Sequence, residues 1–153
     1  MEQSAPTISV VIPCYKERDH VLGVIAKIPD TIAHIYCVDD KCPMQTGAHI
    51  RDNCSDPRVE VIFNERNRGV GGAVMAGYRR ALADGCTIIV KMDGDGQMDP
   101  ALLDEIIRPI TTGKADYAKG NRFFMLVQAS PQAAISTIHS GLYGSTNQTT
   151  NLS

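Results

Sequence analysis

The chain has 153 residues, of which 43% are hydrophobic and 21% charged, a composition typical of one soluble globular domain. Its 15 basic and 17 acidic residues, with few aromatic ones, exclude a nucleic-acid partner bound by phosphate neutralisation or base stacking. No apolar run is long enough to predict a transmembrane segment, and the N-terminus does not read as a signal peptide. We therefore expect a cytoplasmic protein with reduced cysteines.

Charge is spread unevenly and divides the chain in two. Every Lys, Arg, Asp and Glu lies between Glu2 and Arg122, and none occurs in residues 123–153. The uncharged part is rich in Ser, Thr, Gln and Ala, and it shows no sustained helical or alternating period. We interpret residues 1–124 as a folded domain, incomplete at its C-terminal side. Residues 125–153 are predicted to be an irregular C-terminal tail, either disordered or aberrant.

The first part of the chain alternates short β-branched runs with segments of helical period. The predicted strands cover residues 8–12, 35–38, 59–63, 87–90 and 115–118. The predicted helices cover residues 17–28, 46–54, 70–84 and 100–110. This alternation is typical of βαβ units, and it predicts an α/β fold whose mostly parallel, Rossmann-like sheet has helices on both faces.

Polar segments follow directly on four of these strands. They are residues 13–17, 39–40, 93–97 and 120–122. In open parallel sheets, ligands bind outside the carboxyl ends of the strands. The sequence therefore predicts a binding site where these four segments meet.

The segment Asp93-Gly-Asp-Gly-Gln97 carries the clearest chemical signal. Residues two apart on an extended chain point the same way, so Asp93, Asp95 and Gln97 are able to converge. Their oxygens suit a hard cation such as Mg²⁺ or Mn²⁺, which often shares its remaining positions with substrate phosphates. The alternative interpretation is a polar turn closed by its own Asp side chains, and Asp99 before Pro100 is expected to be a helix N-cap.

Two further segments have two interpretations each. Residues 67–72, Asn-Arg-Gly-Val-Gly-Gly, form either a phosphate-contacting loop or a flexible entry into a helix. Asp39 and Asp40 either accept hydrogen bonds from a ribose or base, or cap a turn. The sequence does not separate these readings.

Five segments together resemble family 2 glycosyltransferases of the GT-A fold, in particular the polyprenyl-phosphate or dolichyl-phosphate mannosyltransferase-like branch. In chain order they are ISVVIPCYKE (8–17), YCVDDKCPMQTG (36–47), NRGVGGAVMAGYRRALADG (67–85), MDGDGQMDP (92–100) and KGNRFF (119–124). The resemblance implies a GT-A nucleotide-sugar-binding domain. The segment after Asp40 departs from the family pattern, because Lys41, Cys42 and Met44 replace a common Gly-Ser-x-Asp continuation.

The resemblance also implies which residues bind. The nucleotide sugar would contact Pro13, Tyr15, Glu17, Val38, Asp39, Asp40, Asp93, Gly94, Asp95 and Arg122. A divalent cation would be held by Asp95 and Gln97. No catalytic residue is assigned, because in this family the acceptor side comes from a continuation that residues 125–153 do not resemble.

The expected function is metal-assisted transfer of a sugar from a UDP- or GDP-sugar to a polyprenyl phosphate or a saccharide. A polyprenyl phosphate acceptor would bring peripheral association with the cytoplasmic face of the membrane. Two alternatives stay open: a non-catalytic nucleotide-sugar-binding fragment, and a nucleotidyltransferase on a similar sheet.

Overall fold

The computed structural model describes residues 5–114, together with the backbone of three later strands at 117–120, 125–128 and 149–152. The strands are β1 (Ile8–Cys14), β2 (His34–Asp39), β3 (Val59–Phe63), β4 (Ile88–Lys91), β5 (Tyr117–Gly120), β6 (Met125–Gln128) and β7 (Thr149–Leu152). The helices are α1 (Val21–Ala26), α2 (Thr46–Asn53), α3 (Gly69–Ala83) and α4 (Leu103–Thr111). A short 3₁₀ helix, Pro100–Leu102, precedes α4.

The strands form a single sheet whose first half is parallel. Their spatial order is β3-β2-β1-β4-β6-β5-β7. β1 pairs in parallel with both β2 and β4, so that Val10 lies between Ile35 and Val90. β6 is antiparallel to β4 and to β5, whereas β7 is parallel to β5. The predicted α/β fold with a mostly parallel core is therefore confirmed.

The alternation of side chains along β1 divides the core into two layers. Val10, Ile12 and Cys14 face a layer that includes apolar residues of α1, α2 and α4. Val11 points to the opposite face, where it packs with α3. Helices thus cover both faces of the sheet, and the carboxyl ends of β1, β2 and β4 lie at one edge.

Some elements differ from their predicted extents. The helical period predicted a helix from residue 17, but α1 begins at Val21 because residues 17–20 form a turn in which the Glu17 carbonyl accepts from the amides of His20 and Val21. The segment predicted to be irregular contains β6 and β7, and its remaining residues lie outside those that the structure describes. The division into a domain of residues 1–124 and a tail stays a prediction. Among the described helices, none is both long and apolar enough to cross a membrane.

Helix α3 approaches the sheet closely at Gly77. A Cβ atom on Gly77 would overlap the Val11 side chain and would lie 3.2 Å from the Val38 side chain. Both valines are fully buried. The absence of a side chain at position 77 therefore sets how near α3 lies to β1 and β2.

We expect Gly77→Ala to lower the free energy of unfolding by about 1–3 kcal/mol, the usual cost of overpacking a filled core. Gly71→Ala is the matched control, because Gly71 lies in the same helix and nothing lies within 4 Å of a Cβ built there. That control should be neutral or stabilising by up to about 1 kcal/mol. Urea denaturation of both variants measures the difference, and equal effects would show that the close approach is unimportant.

Candidate functional site

A cavity of about 340 Å³ opens at the carboxyl edge of the sheet. Its volume lies within the range of small-molecule sites, roughly 300–1,000 Å³. Three chain segments line it: the end of β1 with its following loop, the residue after β2, and the entry to α3. The lining residues are Pro13, Cys14, Tyr15, Glu17, Asp40, Asn67, Gly69, Val70 and Ala73.

Apolar and polar groups both face this cavity. Tyr15 is 40% exposed and Val70 is 62% exposed, although both are large apolar side chains. Asn67 accepts a hydrogen bond from the Gly69 amide through Oδ1 at 2.9 Å, which assigns its side-chain Nδ2 as the remaining donor. A flat, partly polar ring is the kind of ligand that such walls suit.

Asp39 and Asp40 are adjacent in sequence, but they hydrogen-bond to different parts of the chain. Asp39 is buried, and its two oxygens accept from the amides of Cys42 and Gly47, each at 2.7 Å. Asp40 is also buried, and its Oδ1 accepts from Asn64 Nδ2 and from the Arg68 amide, both at 2.8 Å. Asp39 therefore fixes the loop before α2, whereas Asp40 fixes the entry to α3 and lines the cavity.

The acidic loop after β4 lies beside the loop after β1. A Cβ atom on Gly94 would lie 3.2 Å from the Ile12 side chain and 3.6 Å from Cβ of Glu17. Asp93 forms an ion pair with Lys91, and Asp95 accepts a hydrogen bond from the Gln97 amide at 3.0 Å. Asp99 caps the 3₁₀ helix by accepting from the Ala101 amide, as the sequence predicted.

Negative charge is concentrated where these two loops meet. Partial burial raises the pKa of Glu17 above its ordinary value of 4.5, and repulsion from Asp95 and Asp93 raises it further, while His20 opposes the shift. Acidic groups that repel one another in this way are relieved by a bound cation.

The donor set fits a divalent cation only if other ligands complete it. Asp95 and Gln97 offer carboxylate and amide oxygens, which suit a hard cation. Within the part of the chain whose side chains are described, no three His, Cys, Asp or Glu residues converge to hold a metal. The oxygens of this loop suit a divalent cation that takes one or two protein carboxylates and shares its other positions with water or phosphate oxygens.

The structure brings four of the ten predicted nucleotide-sugar-binding residues into one cavity. Pro13, Tyr15, Glu17 and Asp40 share the cavity. Val38 is fully buried in the core beneath α3, so its side chain does not face the cavity. Asp39 lines a neighbouring cavity instead, and Arg122 lies outside the described residues.

Sequence reasoning missed part of the cavity wall. Asn67 and Val70 lie on it, in the glycine-rich segment that had two readings. In the structure this segment both leads into α3 and lines the cavity. The acidic loop after β4 contributes no residue to the cavity lining. The sequence does not show that Asp40 accepts a hydrogen bond from the Arg68 amide. This hydrogen bond holds the glycine-rich segment beside the end of β2.

The parallel core with an antiparallel strand beside β4 agrees with the GT-A class of α/β folds that the resemblance implied, and solved structures of similar fold support that class. A mannosyltransferase from Pyrobaculum calidifontis, solved with GDP-Man and Mn²⁺, matches with a TM-score of 0.67 at 13% identity, over 96% of this chain and 56% of that one. Glucosyl-3-phosphoglycerate synthase from Mycobacterium tuberculosis, solved with Mn²⁺ and UDP, has a TM-score of 0.61 at 21% identity and covers 76% of this chain and 44% of that one.

The chain belongs to glycosyl transferase family 2, whose sequence profile matches residues 9–133. Polyprenol monophosphomannose synthase of Mycolicibacterium smegmatis is 34% identical over 119 residues, which are 74% of this chain and 44% of that protein. Dolichol-phosphate mannosyltransferase of Pyrococcus furiosus is 31% identical over 120 residues, which are 76% of this chain and 33% of that protein. The chain thus spans less than half the length of these two relatives.

We expect Glu17→Gln to raise the thermal unfolding midpoint in the presence of a chelator at neutral pH, by about 1–3 °C after solvent screening is allowed for. The folded state raises the pKa of Glu17, so its ionisation destabilises the fold. The gain should therefore be full near pH 7 and should disappear as the pH falls below 4.5, where Glu17 is protonated in both states.

The exposed Glu65 provides the control, since Glu65→Gln makes the same change outside the acidic site. Scanning calorimetry between pH 4 and pH 7 compares the two variants. A gain that is the same at every pH, or the same in both variants, would contradict the charge repulsion.

Proposed function

We propose that this chain binds a nucleotide-diphospho-sugar and supplies the donor side of a glycosyltransferase, which passes the sugar to a polyprenyl phosphate or a saccharide. The observation that carries the proposal is the cavity beside the acidic loop, at the carboxyl edge of a GT-A sheet. Membership of glycosyl transferase family 2 supports sugar transfer over nucleotidyl transfer.

The cavity would take the nucleoside. Tyr15 and Val70 present apolar surface to a base, and Asp40 retains Oδ2 to accept from a base or ribose donor, because Oδ1 binds Asn64 and Arg68. Pro13 and Glu17 would complete the wall on the β1 side. The related structures were solved with a uridine and with a guanosine nucleotide, so both UDP- and GDP-sugars are candidate donors.

The diphosphate would lie toward the acidic loop. Asp95 and Gln97 would hold the divalent cation, Mg²⁺ or Mn²⁺, whose contribution is to neutralise charge on the departing nucleoside diphosphate. Asp93 is held by Lys91, which keeps one carboxylate of the loop oriented. Arg122 is proposed, from the family resemblance alone, to bind the donor phosphates bidentately.

The acceptor is proposed from the relatives. The proteins from Mycolicibacterium smegmatis and Pyrococcus furiosus are named for transfer to a polyprenol or to dolichol phosphate. A lipid acceptor of this kind would bring the protein to the cytoplasmic face of a membrane as a peripheral protein. Binding of the donor without transfer stays the alternative function, because every site residue named above lies on the donor side.

We expect the protein to bind UDP or GDP in the presence of Mn²⁺, and to lose that binding in the presence of a chelator. Asp95→Asn should weaken the Mn²⁺-dependent affinity by about tenfold or more, which is about 1.4 kcal/mol, since it removes the negative charge of one oxygen ligand. Isothermal titration calorimetry with each nucleotide measures the affinity and identifies the base.

Asp99→Asn is the matched control in the same loop. Asn keeps the oxygen that accepts from the Ala101 amide, so the cap and the nucleotide affinity should both be retained. A folded wild-type chain that binds neither nucleotide would overturn the proposed function. Equal losses in the two variants would contradict the role of Asp95.

Transfer is tested separately with a radiolabelled sugar on the nucleotide that calorimetry selects, and with undecaprenyl phosphate in vesicles. Label that moves into the organic phase supports a lipid acceptor and excludes the binding-only alternative. The same labelled donor is then incubated with a saccharide acceptor, and tight donor binding with transfer to neither acceptor would support the binding-only alternative.

A further inference from the structure

The loop after β1 forms part of the cavity wall and contains one residue in an unfavourable backbone conformation. Tyr15 and Glu17 line the cavity, and Lys16 between them has a φ of +61°. A residue with a side chain rarely adopts this left-handed conformation, which persists only where the surrounding structure holds it. The Lys16 side chain extends over the Tyr15 ring, with Nζ 5.5 Å from the ring centre. A different group contacts the Lys16 backbone amide.

That group is the thiol of Cys42, which is 26 residues away in sequence. The Lys16 amide donates to Sγ of Cys42 at 3.1 Å. Cys42 is 7% exposed, and its sulfur also lies 3.2 Å from Oγ1 of Thr46 at the start of α2. The Cys42 amide in turn donates to Asp39 at 2.7 Å. A continuous chain of hydrogen bonds therefore runs from the end of β2 to the loop after β1.

These hydrogen bonds also affect the acidity of the thiol. Burial alone would raise the pKa of Cys42, but hydrogen bonds from Thr46 and from the Lys16 amide outweigh burial and hold the pKa below its ordinary value of 9.0. The sulfur is thus surrounded by donors, unlike a cysteine that only fills apolar space.

We propose that Cys42 is a positioning residue for the donor site: its sulfur holds the left-handed turn at Lys16 and thereby sets where Tyr15 and Glu17 stand around the nucleotide. The role at a nucleotide rests on the proposed function, whereas the tether between Cys42 and Lys16 does not. A cysteine that merely filled the core would stabilise the fold without controlling this loop.

Hydrogen exchange of the Lys16 amide tests the tether without any ligand. NMR should show a protected Lys16 amide in the wild type and an amide that exchanges about tenfold or more faster in Cys42→Ala. The exchange rate in Cys42→Ser should lie between these two rates. The serine hydroxyl also accepts a hydrogen bond, but its oxygen reaches less far than the sulfur. Unchanged exchange at Lys16 in a folded Cys42→Ala variant would overturn the proposal.

Nucleotide affinity then tests the positioning. Cys42→Ala should weaken binding of UDP or GDP, in the presence of Mn²⁺, by about tenfold, or 1.4 kcal/mol. The double variant Lys16→Gly with Cys42→Ala should recover affinity to within about twofold of the wild type, because glycine adopts positive φ without a tether. If Cys42 only fills space, Lys16→Gly should not restore the affinity. A double variant that binds as weakly as Cys42→Ala would therefore overturn the positioning role of Cys42.

Cys86→Ala is the control for loss of a buried thiol. Cys86 is 2% exposed and lies before the amino end of β4, away from the cavity lining. It should lose stability and keep its nucleotide affinity. If the wild type binds neither nucleotide, the proposed function fails, while the exchange experiment still decides whether Cys42 holds Lys16.

Discussion

Two neighbouring carboxylates at the end of β2 hold two of the chain segments that form the binding edge. Asp39 binds one amide of the loop before α2 and one in the first turn of α2, and Asp40 binds the segment that leads into α3. Both are buried, and a buried charge is tolerated only where donors surround it. The loops therefore have little freedom to rearrange separately, because moving either one would leave a carboxylate without its partners.

This arrangement separates two chemical environments along one edge. The cavity combines apolar side chains with a few fixed polar atoms, which suits recognition of a ring. The neighbouring loop concentrates carboxylates and suits a cation with its phosphates. Glu17 belongs to both, since it lines the cavity and also responds to the charges of Asp93 and Asp95. A nucleoside diphosphate spans two such environments by its own chemistry.

The sequence predicted the fold well because buried parallel strands have a distinct composition. The β-branched runs at residues 8–12, 59–63 and 87–90 each became a strand within one or two residues of the predicted extent. The start of α1 was misplaced, because the helical period does not show that residues 17–20 form a turn before Val21. The packing of α3 on β1 depends on Gly77, and a sequence alone does not show what a glycine faces.

The site was predictable in its location and less so in its contacts. The strand-end rule identified Glu17, Asp40 and the acidic loop, which the structure brings to one edge. The sequence pattern of an Asp at a strand end is the same whether its side chain faces a cavity or binds a neighbouring loop. The sequence therefore could not show that Asp40 lines the cavity and Asp39 does not. The bond between Cys42 and Lys16 joins residues far apart in sequence, and no local pattern reports it.

The position of β6 between β4 and β5 has a consequence for synthesis on the ribosome. Each of β2, β3 and β4 pairs with a strand that is synthesised before it. β2 pairs with β1, β3 pairs with β2, and β4 pairs with β1. The outer edge of β4 then stays bare until residues 125–128 have been translated, since β6 and not β5 pairs with it. During that interval the nascent chain displays an open strand edge, a template for pairing with other chains and a natural place for a chaperone to act.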